Sequence, residues 1–189
     1  HYPDERLKRV SAPVEVFDAG LKDFIVDLLD TVNAAPGCVG LAAPQVNHFQ
    51  RIVIVDVSSR KGVSHHGRMV LINPEILETT GSMVGREGCL SVPDFTGNVQ
   101  RAERIRLRAQ DVQGGAQEYD CEGYEARALQ HELDHLDGLL FLDRLVSRKQ
   151  DLFARHFRVR IHERQQVLQL IAVPIAAASL VGAGSAPQM

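Results

Sequence analysis

The spacing of apolar residues predicts a helix near the N-terminus. Between residues 18 and 34, apolar side chains recur three or four positions apart, at positions 21, 24, 25, 28, 29 and 32. This spacing is typical of a helix that buries one face. Asp18 is a suitable N-cap, and Pro36-Gly37 ends the helical pattern. We therefore predict an amphipathic helix over residues 18–34.

Short apolar or alternating runs predict strands in the middle of the chain. These runs cover residues 51–57, 69–73, 83–92, 104–110 and 116–121. Turns are expected at Asn73-Pro74 and at Gly114-Gly115. Arginine alternates with apolar residues over 104–108, which indicates one buried and one solvated face and requires no function of the arginines.

A second helix is predicted from Gly123 to Asp137, ending near Gly138. Its leucines at 129, 133 and 136 lie on a different side from its two histidines, so one face can enter the core while the other faces a cleft. Strands and segregated helices together predict an α+β fold, with antiparallel or mixed sheets around this central helix. A C-terminal helix is also predicted, because apolar residues at 152, 153, 157 and 161 recur within a basic segment.

Metal chemistry is indicated by His131-Glu132-Leu133-Asp134-His135. Residues four apart share a helix face, so His131 and His135 can bind one metal ion. Glu132 lies about 100° round the helix from His131 and suits a general base that is not itself a ligand. A catalytic site of this type needs a third protein ligand and an open position.

The identity of the third ligand distinguishes the classes of metallohydrolase that share this helix motif. A zinc protease of the metzincin type would need a histidine where this chain has Phe141, which has no ligand atom. A thermolysin-like peptidase would take a downstream glutamate, for which Glu163 is the candidate, in a basic stretch. Cys89 is favoured, because a thiolate binds zinc or iron well and the short strand around it can leave the sulfur accessible. His65 and His66, adjacent on a polar loop, are interpreted as solvated surface residues.

Three segments in order resemble the peptide deformylase family. They are Cys38-Val39-Gly40-Leu41-Ala42-Ala43-Pro44-Gln45, Glu87-Gly88-Cys89-Leu90-Ser91 and Gln130-His131-Glu132-Leu133-Asp134-His135. The similarity extends from about residue 10 to about residue 145. It implies an enzyme that removes the formyl group from the N-terminal formylmethionine of new polypeptides and releases formate.

The resemblance also implies roles for individual residues. Cys89, His131 and His135 would hold the metal, a metal-bound hydroxide would be the nucleophile, and Glu132 would be the general acid and base. The Gln45 amide and the Leu90 backbone N–H would stabilise the oxyanion. The peptide would pair with the segments that contain Val39, Gly40 and Gly88, and its methionine side chain would enter an apolar pocket near Val39, Leu90 and Ala128.

The resemblance favours Fe²⁺ as the native metal, whereas the ligand types also accept Zn²⁺, Ni²⁺ or Co²⁺. In this family glycine is more common at the position of Cys38, which we interpret as a small apolar filler, with a reactive thiol as the alternative. Two functional alternatives stay open: a metallopeptidase that uses the same helix, and a non-catalytic relative that binds peptide or ribosome.

Composition agrees with one catalytic domain over residues 1–165. The chain has 189 residues, of which 44% are hydrophobic and 24% charged, with a net charge of −3, which gives no reason to expect DNA binding. Its three cysteines, at positions 38, 89 and 121, suit a reducing compartment. A bacterial cytoplasmic location is expected. Because the chain begins at His1 rather than Met, a mitochondrial or plastid location stays open.

The C-terminal part of the chain carries two further expectations. Between residues 144 and 164 basic residues outnumber acidic ones. The resemblance to deformylases implies docking to the ribosome, whose RNA phosphates a basic helix could contact, with a solvated helix as the alternative. Residues 166–189 are interpreted as an apolar tail of unknown role. Its apolar run over 167–182 is shorter than the ~20 residues that cross a bilayer, so no transmembrane helix is predicted.

Overall fold

Two antiparallel sheets and two longer helices build the part of the chain that this computed structural model describes, residues 1–155. The strands, numbered in chain order, are β1 (Gly40–Ala42), β2 (Ile52–Val55), β3 (Met69–Thr80), β4 (Met83–Cys89), β5 (Val92–Arg101), β6 (Arg104–Gln110), β7 (Ala116–Glu122) and β8 (Leu152–Ala154). The larger sheet has the order β1-β2-β3-β6-β7, and the smaller one has the order β4-β5-β8. This arrangement confirms the predicted α+β class.

The helices are α1 (Ala19–Ala34), α2 (Gly123–Leu136) and the single turn α3 (Arg148–Asp151). Short 3-10 helices cover Glu5–Lys8, Ala43–Val46 and Phe141–Arg144. The prediction for α1 is confirmed, including its cap, since the Asp18 side chain accepts a hydrogen bond of 2.9 Å from the Leu21 backbone N–H.

The larger sheet lies between α1 and α2. All four residues of β2 are buried, and their side chains alternate between the two faces. Val53 and Val55 pack in the cluster that contains the apolar face of α2, whereas Ile52 and Ile54 pack in the cluster that contains α1. This burial on both faces explains why β2 reads as a continuous apolar run.

Helix α2 begins and ends close to its predicted bounds. Ala126, Leu129, Leu133 and Leu136 pack against the larger sheet, as the position of the leucines predicted. After the helix, Gly138 adopts a φ of +70°, the left-handed conformation that glycine commonly supplies just beyond a helix end.

The predicted turn at Asn73-Pro74 is wrong, because β3 runs through it from Met69 to Thr80. Asn73 has a φ of +51° and lies where the pairing register with β6 shifts. Its side-chain amide exchanges hydrogen bonds of 2.8 and 2.9 Å with the backbone of Val14. The residue therefore forms a bulge within a long strand. The turn predicted at Gly114-Gly115 does connect β6 to β7.

The segment predicted as one strand over 83–92 is instead a hairpin. Strand β4 ends at Cys89, Leu90 and Ser91 form the turn, and β5 returns from Val92. Both β5 and the short strand β1 were missed by the sequence prediction.

The predicted C-terminal helix is wrong within the described residues. After the single turn α3, Leu152–Ala154 extend as β8 and pair with residues 95–97 of β5. The remainder of that predicted helix, the apolar run over 167–182 and the tail from residue 166 lie outside the described residues. No helix within residues 1–155 is long and apolar enough to cross a membrane.

Candidate metal centre

The three predicted ligands converge where the end of β4 meets α2. One donor atom from each of Cys89, His131 and His135 lies within 4.8 Å of the other two. The Cys89 Sγ is 3.2 Å from the His135 Nε2. Zinc bonds of ~2.3 Å to sulfur and ~2.05 Å to nitrogen at a tetrahedral angle would separate these two atoms by about 3.6 Å. The donor set and its spacing therefore fit one divalent metal ion.

The cluster favours a thiolate at Cys89. Burial acts to raise the pKa of this thiol, but the charge of His135 and hydrogen bonds from His131 and His135 hold the pKa well below its usual value. The backbone N–H of Ser91 also donates to the sulfur over 3.3 Å. A thiolate is the form that binds a metal ion.

Glu132 lies beside the three ligands and is 5% exposed. Its Oε2 is buried and has no hydrogen-bond partner among the described residues. Burial raises the pKa of this carboxyl to about 7, against the lowering effect of His131 and His135. A buried carboxylate oxygen without a donor beside a Cys-His-His cluster is suited to accept a proton from a bound water molecule.

Gly40 allows the Glu132 carboxylate to occupy this position. A Cβ atom on Gly40 would lie 2.5 Å from the Glu132 Oε1. Any side chain at position 40 would therefore force β1 and α2 apart or displace the carboxylate.

The Gln45 side chain is oriented towards the cluster. Its Oε1 accepts a hydrogen bond of 2.9 Å from the Ala42 backbone N–H, which fixes the plane of the amide. Its Nε2 donates to the Ser91 Oγ over 3.0 Å and lies 3.6 Å from the Cys89 Sγ. An amide N–H donor is thus held beside the candidate metal ligands.

A buried carboxylate supports the His131 ring from behind. Glu87 accepts a hydrogen bond of 2.9 Å from the His131 Nδ1, which leaves Nε2 to face the metal position. Arg101 donates to both carboxylate oxygens of Glu87, and Arg127 donates to its Oε1 over 2.9 Å. Burial alone would raise the pKa of Glu87, but the hydrogen bonds and charges of His131 and Arg101 hold it at about 2.

Arg101 links the Glu87 carboxylate to helix α2. Arg101, 6% exposed, also donates to Asp134 over 2.5 Å, and Arg144 donates to the other oxygen of Asp134 over 2.6 Å. The network joins β4, β5 and α2 beneath the metal ligands, so it fixes the helix against the smaller sheet.

A cleft opens above the cluster between the two sheets. β1 is the edge strand of the larger sheet and β4 the edge strand of the smaller one. The cleft is lined by predicted site residues from both segments, namely Val39, Gly40, Gln45, Gly88, Cys89, Leu90, His131 and Glu132. Ala128 lines it too, as predicted for the side-chain pocket. The structure thus brings the predicted residues together, with the His135 Nε2 3.2 Å from the Cys89 Sγ.

Several residues of the site were missed by the sequence analysis. Glu87 and Ser91 belong to a motif that was recognised, but neither was given a role. Arg101 and Arg127 were not singled out, although both are buried, at 6% and 4% exposure. The sequence did contain one signal for this network. Arg127 lies on the same turn of the helix as apolar core residues, and a buried charge requires a buried partner.

Two other expectations concern Phe141 and Cys38. Phe141 is 1% exposed and its ring stacks with that of His131 at 6.4 Å, so the position at which a metzincin carries its third ligand is filled by a core side chain. Burial raises the pKa of the Cys38 thiol to about 11, and its Sγ donates to the Gly40 carbonyl over 3.1 Å. A protonated thiol packed in this way agrees with the interpretation of Cys38 as a filler.

The family model for polypeptide deformylase matches residues 1–151 of the chain. The chain belongs to the polypeptide deformylase family. A peptide deformylase of Chromobacterium violaceum is 49% identical over 150 residues, which are 79% of this chain and 87% of that protein. A peptide deformylase of Alkalilimnicola ehrlichii is 44% identical over 167 residues, covering 85% of this chain and 92% of the relative.

Solved deformylase structures share the fold. The crystal structure of a peptide deformylase from Legionella pneumophila superposes with a TM-score of 0.70 at 36% identity and covers 90% of both chains. A peptide deformylase from Thermotoga maritima gives a TM-score of 0.70 at 40% identity, over 77% of this chain and 95% of the other. The enzyme is therefore a peptide deformylase, a metal-dependent hydrolase that removes the N-terminal formyl group.

Proposed function

We propose that this deformylase binds one divalent metal ion through Cys89, His131 and His135 and hydrolyses the formamide of formylmethionyl peptides in the cleft above them. The observation that carries the proposal is the convergence of these three donors beside a buried Glu132 that has an unpaired oxygen among the described residues. Native Fe²⁺ is proposed, and the thiolate and imidazole donors also suit Zn²⁺, Ni²⁺ and Co²⁺.

A divalent ion bound by three protein ligands acts as a Lewis acid that lowers the pKa of water and polarises a carbonyl group. Glu132 takes the proton of the attacking water and delivers it to the leaving amine. Burial supports this role, because a carboxyl whose pKa lies near 7 can both accept and release a proton at neutral pH.

The negative charge that develops on the formyl oxygen is stabilised by the Gln45 side-chain amide and the Leu90 backbone N–H. Support for Gln45 comes from its orientation, since the bond from the Ala42 N–H holds the oxygen of the amide and turns its N–H₂ group towards Cys89. Support for Leu90 comes from its place in the turn directly after the ligand Cys89. Removing one such donor commonly costs ~10² to 10³ in rate.

The peptide binds in extended form between the edges of β1 and β4. Each is the edge strand of its sheet, so backbone groups of Val39, Gly40 and Gly88 can pair with a third strand. The methionine side chain enters the part of the cleft near Val39, Leu90 and Ala128, all of which line it.

The peptide leaves the cleft past a basic mouth. Arg60, Arg86 and Arg155 line the cleft and are exposed. Arg60 lies over the Tyr124 ring at 5.3 Å and Arg86 over the Phe153 ring at 3.4 Å. We expect these charges to favour peptides with acidic residues after the methionine.

A bacterial cytoplasmic location and contact with the ribosome through the basic C-terminal segment stay proposals. Arg148 and Lys149 are its exposed cations within α3. The metallopeptidase alternative is disfavoured, because Cys89 joins the two histidines as the third donor and Phe141 supplies no ligand. Glu163 lies outside the described residues.

Formate release tests the function. Iron-loaded protein is incubated anaerobically with formyl-Met-Ala-Ser, acetyl-Met-Ala-Ser and an internal peptide, and formate and free amines are measured. We expect formate from the formylated peptide and no cleavage of the others. Cleavage of the internal peptide without formate would instead support the metallopeptidase.

A further inference from the structure

A second group of metal-ligand side chains lies at the opposite end of α2 from His135. It comprises His66 from the loop before β3, Cys121 near the end of β7 and Glu125 in the first turn of α2. One donor atom from each lies within 4.8 Å of the other two. The loop before β3 thus brings an imidazole to the junction of β7 and α2, where a thiol and a carboxylate lie four residues apart.

We propose that His66, Cys121 and Glu125 form a second divalent-metal site, with zinc as the preferred class of ion. The His66 Nδ1 is 3.9 Å from the Cys121 Sγ and 2.8 Å from the Glu125 Oε2. Tetrahedral zinc bonds would separate these pairs by about 3.6 Å and about 3.4 Å. The distance to sulfur would have to shorten by about 0.3 Å and the distance to oxygen to lengthen by about 0.6 Å, which a movement of the loop side chain of His66 can supply.

The burial of two of the three donors, Cys121 on β7 and Glu125 on α2, supports the site. Cys121 and Glu125 are 2% and 1% exposed, whereas the His66 side chain is 40% exposed. A buried carboxylate is costly without a compensating cation. Glu125 accepts hydrogen bonds of 2.8 Å from both the backbone N–H and the Nδ1 of His66. The backbone bond holds the loop of His66 beside the donor position, and metal binding would replace the bond from Nδ1, with the imidazole proton then carried on Nε2.

The site would be separate from the catalytic centre and does not rest on the proposed function. Glu125 precedes His131 by more than one helical turn, and the two clusters share no residue. Burial and Glu125 raise the pKa of the Cys121 thiol to about 12, so metal binding would release its proton to solvent. The bound ion would fasten the loop before β3 to the start of α2, where it would act structurally.

Cobalt binding tests the proposal on the full chain. Protein is stripped of metal, dialysed anaerobically against Co²⁺, and analysed for cobalt per chain and for the thiolate-to-cobalt absorption band. We expect two equivalents for the wild type and one for His66→Ala. Cys121→Ser should lose one equivalent and about half of the thiolate band, because Cys89 still supplies the other thiolate.

His65→Ala is the matched control, since this neighbouring loop histidine is outside the cluster, and it should keep both equivalents. His66→Ala should also keep the deformylation rate of the wild type, which separates this site from the catalytic one. One equivalent in the wild type, or two in His66→Ala, would overturn the proposal even if deformylation is normal.

Discussion

At the scale of single residues, the centre depends on neighbours that neither bind the metal nor transfer the proton. Gly40 leaves the space that the Glu132 carboxylate fills, and Glu87 fixes the ring of His131 through Nδ1. The first acts by its lack of a side chain and the second by a hydrogen bond. A substitution at either residue leaves the candidate metal ligands unchanged, so it tests the role of that neighbour alone.

Gly40→Ala should reduce turnover by ~10², because a misplacement of about 1 Å in a catalytic group can cost that much. The added Cβ would meet the Glu132 Oε1, whereas the metal ligands keep their positions. Metal content should therefore equal that of the wild type. Gly20→Ala, on the exposed face of α1, is the control and should leave turnover unchanged. Normal turnover of Gly40→Ala would contradict the position given to Glu132.

Glu87→Gln should weaken metal binding by about 10- to 100-fold, the usual cost of losing a carboxylate behind a histidine ligand. The amide keeps the shape but loses the charge that holds the His131 ring and pairs with Arg101. Competition with a chelator measures the affinity. If the folded variant binds metal as tightly as the wild type, the His131 ring is positioned by other contacts.

The convergence of the candidate ligands could be predicted from the sequence more readily than the contacts that support them. His131 and His135 follow from helical periodicity, which depends only on local geometry. The partners of Glu87 come from β5 and α2, and Ser91 meets Gln45 across the cleft. Such contacts between distant segments depend on how the sheets pack, which no local pattern records.

At the scale of elements, the β4-β5 hairpin brings Cys89 to α2. The sequence over 83–92 showed no Gly or Asn in the turn, so it was interpreted as one strand, whereas Leu90 and Ser91 form the turn. In the C-terminal segment, Leu152 and Phe153 fit a helical pattern, but pairing with β5 outweighs this preference. The bounds of helix α2 were predicted almost to the residue, because the periodic apolar residues and Gly138 just beyond the helix indicate the same C-terminal end.

The exposed arginines on the elements around the mouth of the cleft lead us to expect a preference for acidic substrate peptides. A formylated peptide with aspartate after the methionine should be hydrolysed about two- to five-fold more efficiently than its lysine counterpart, the range expected for exposed charge pairs. The double variant Arg60→Ala/Arg86→Ala, which keeps Arg155, should lose most of the preference, and added salt should reduce it in the wild type. Arg104→Ala, on β6 and paired with Glu122, is the control. A preference that survives in the double variant would exclude these arginines as its cause.

At the scale of the whole molecule, α2 is held between the larger sheet and the hairpin of the smaller one. Its leucines enter the core on one side, while His131 and His135 face Cys89 on the other. The residues proposed for catalysis all lie within residues 39–135. The catalytic domain predicted over residues 1–165 therefore includes all of them, together with β8.

A chain that ends at residue 165 should retain the turnover and metal content of the full chain, because the removed tail supplies no proposed site residue. A chain that ends at residue 147 should be less stable, since it loses β8 and the contact of Phe153 with Arg86. Thermal unfolding and formate release measure the two effects. Loss of turnover in the chain that ends at residue 165 would show that the tail contributes to the site.

The central claim is that Cys89 holds the metal while Glu132 moves the proton. The most direct measurement determines iron content and formate release from formyl-Met-Ala-Ser together in wild type, Glu132→Ala and Cys89→Ala. We predict that Glu132→Ala keeps its iron and loses turnover by ~10² or more, whereas Cys89→Ala loses both. Normal turnover in either variant, or full iron content in Cys89→Ala, would contradict these roles.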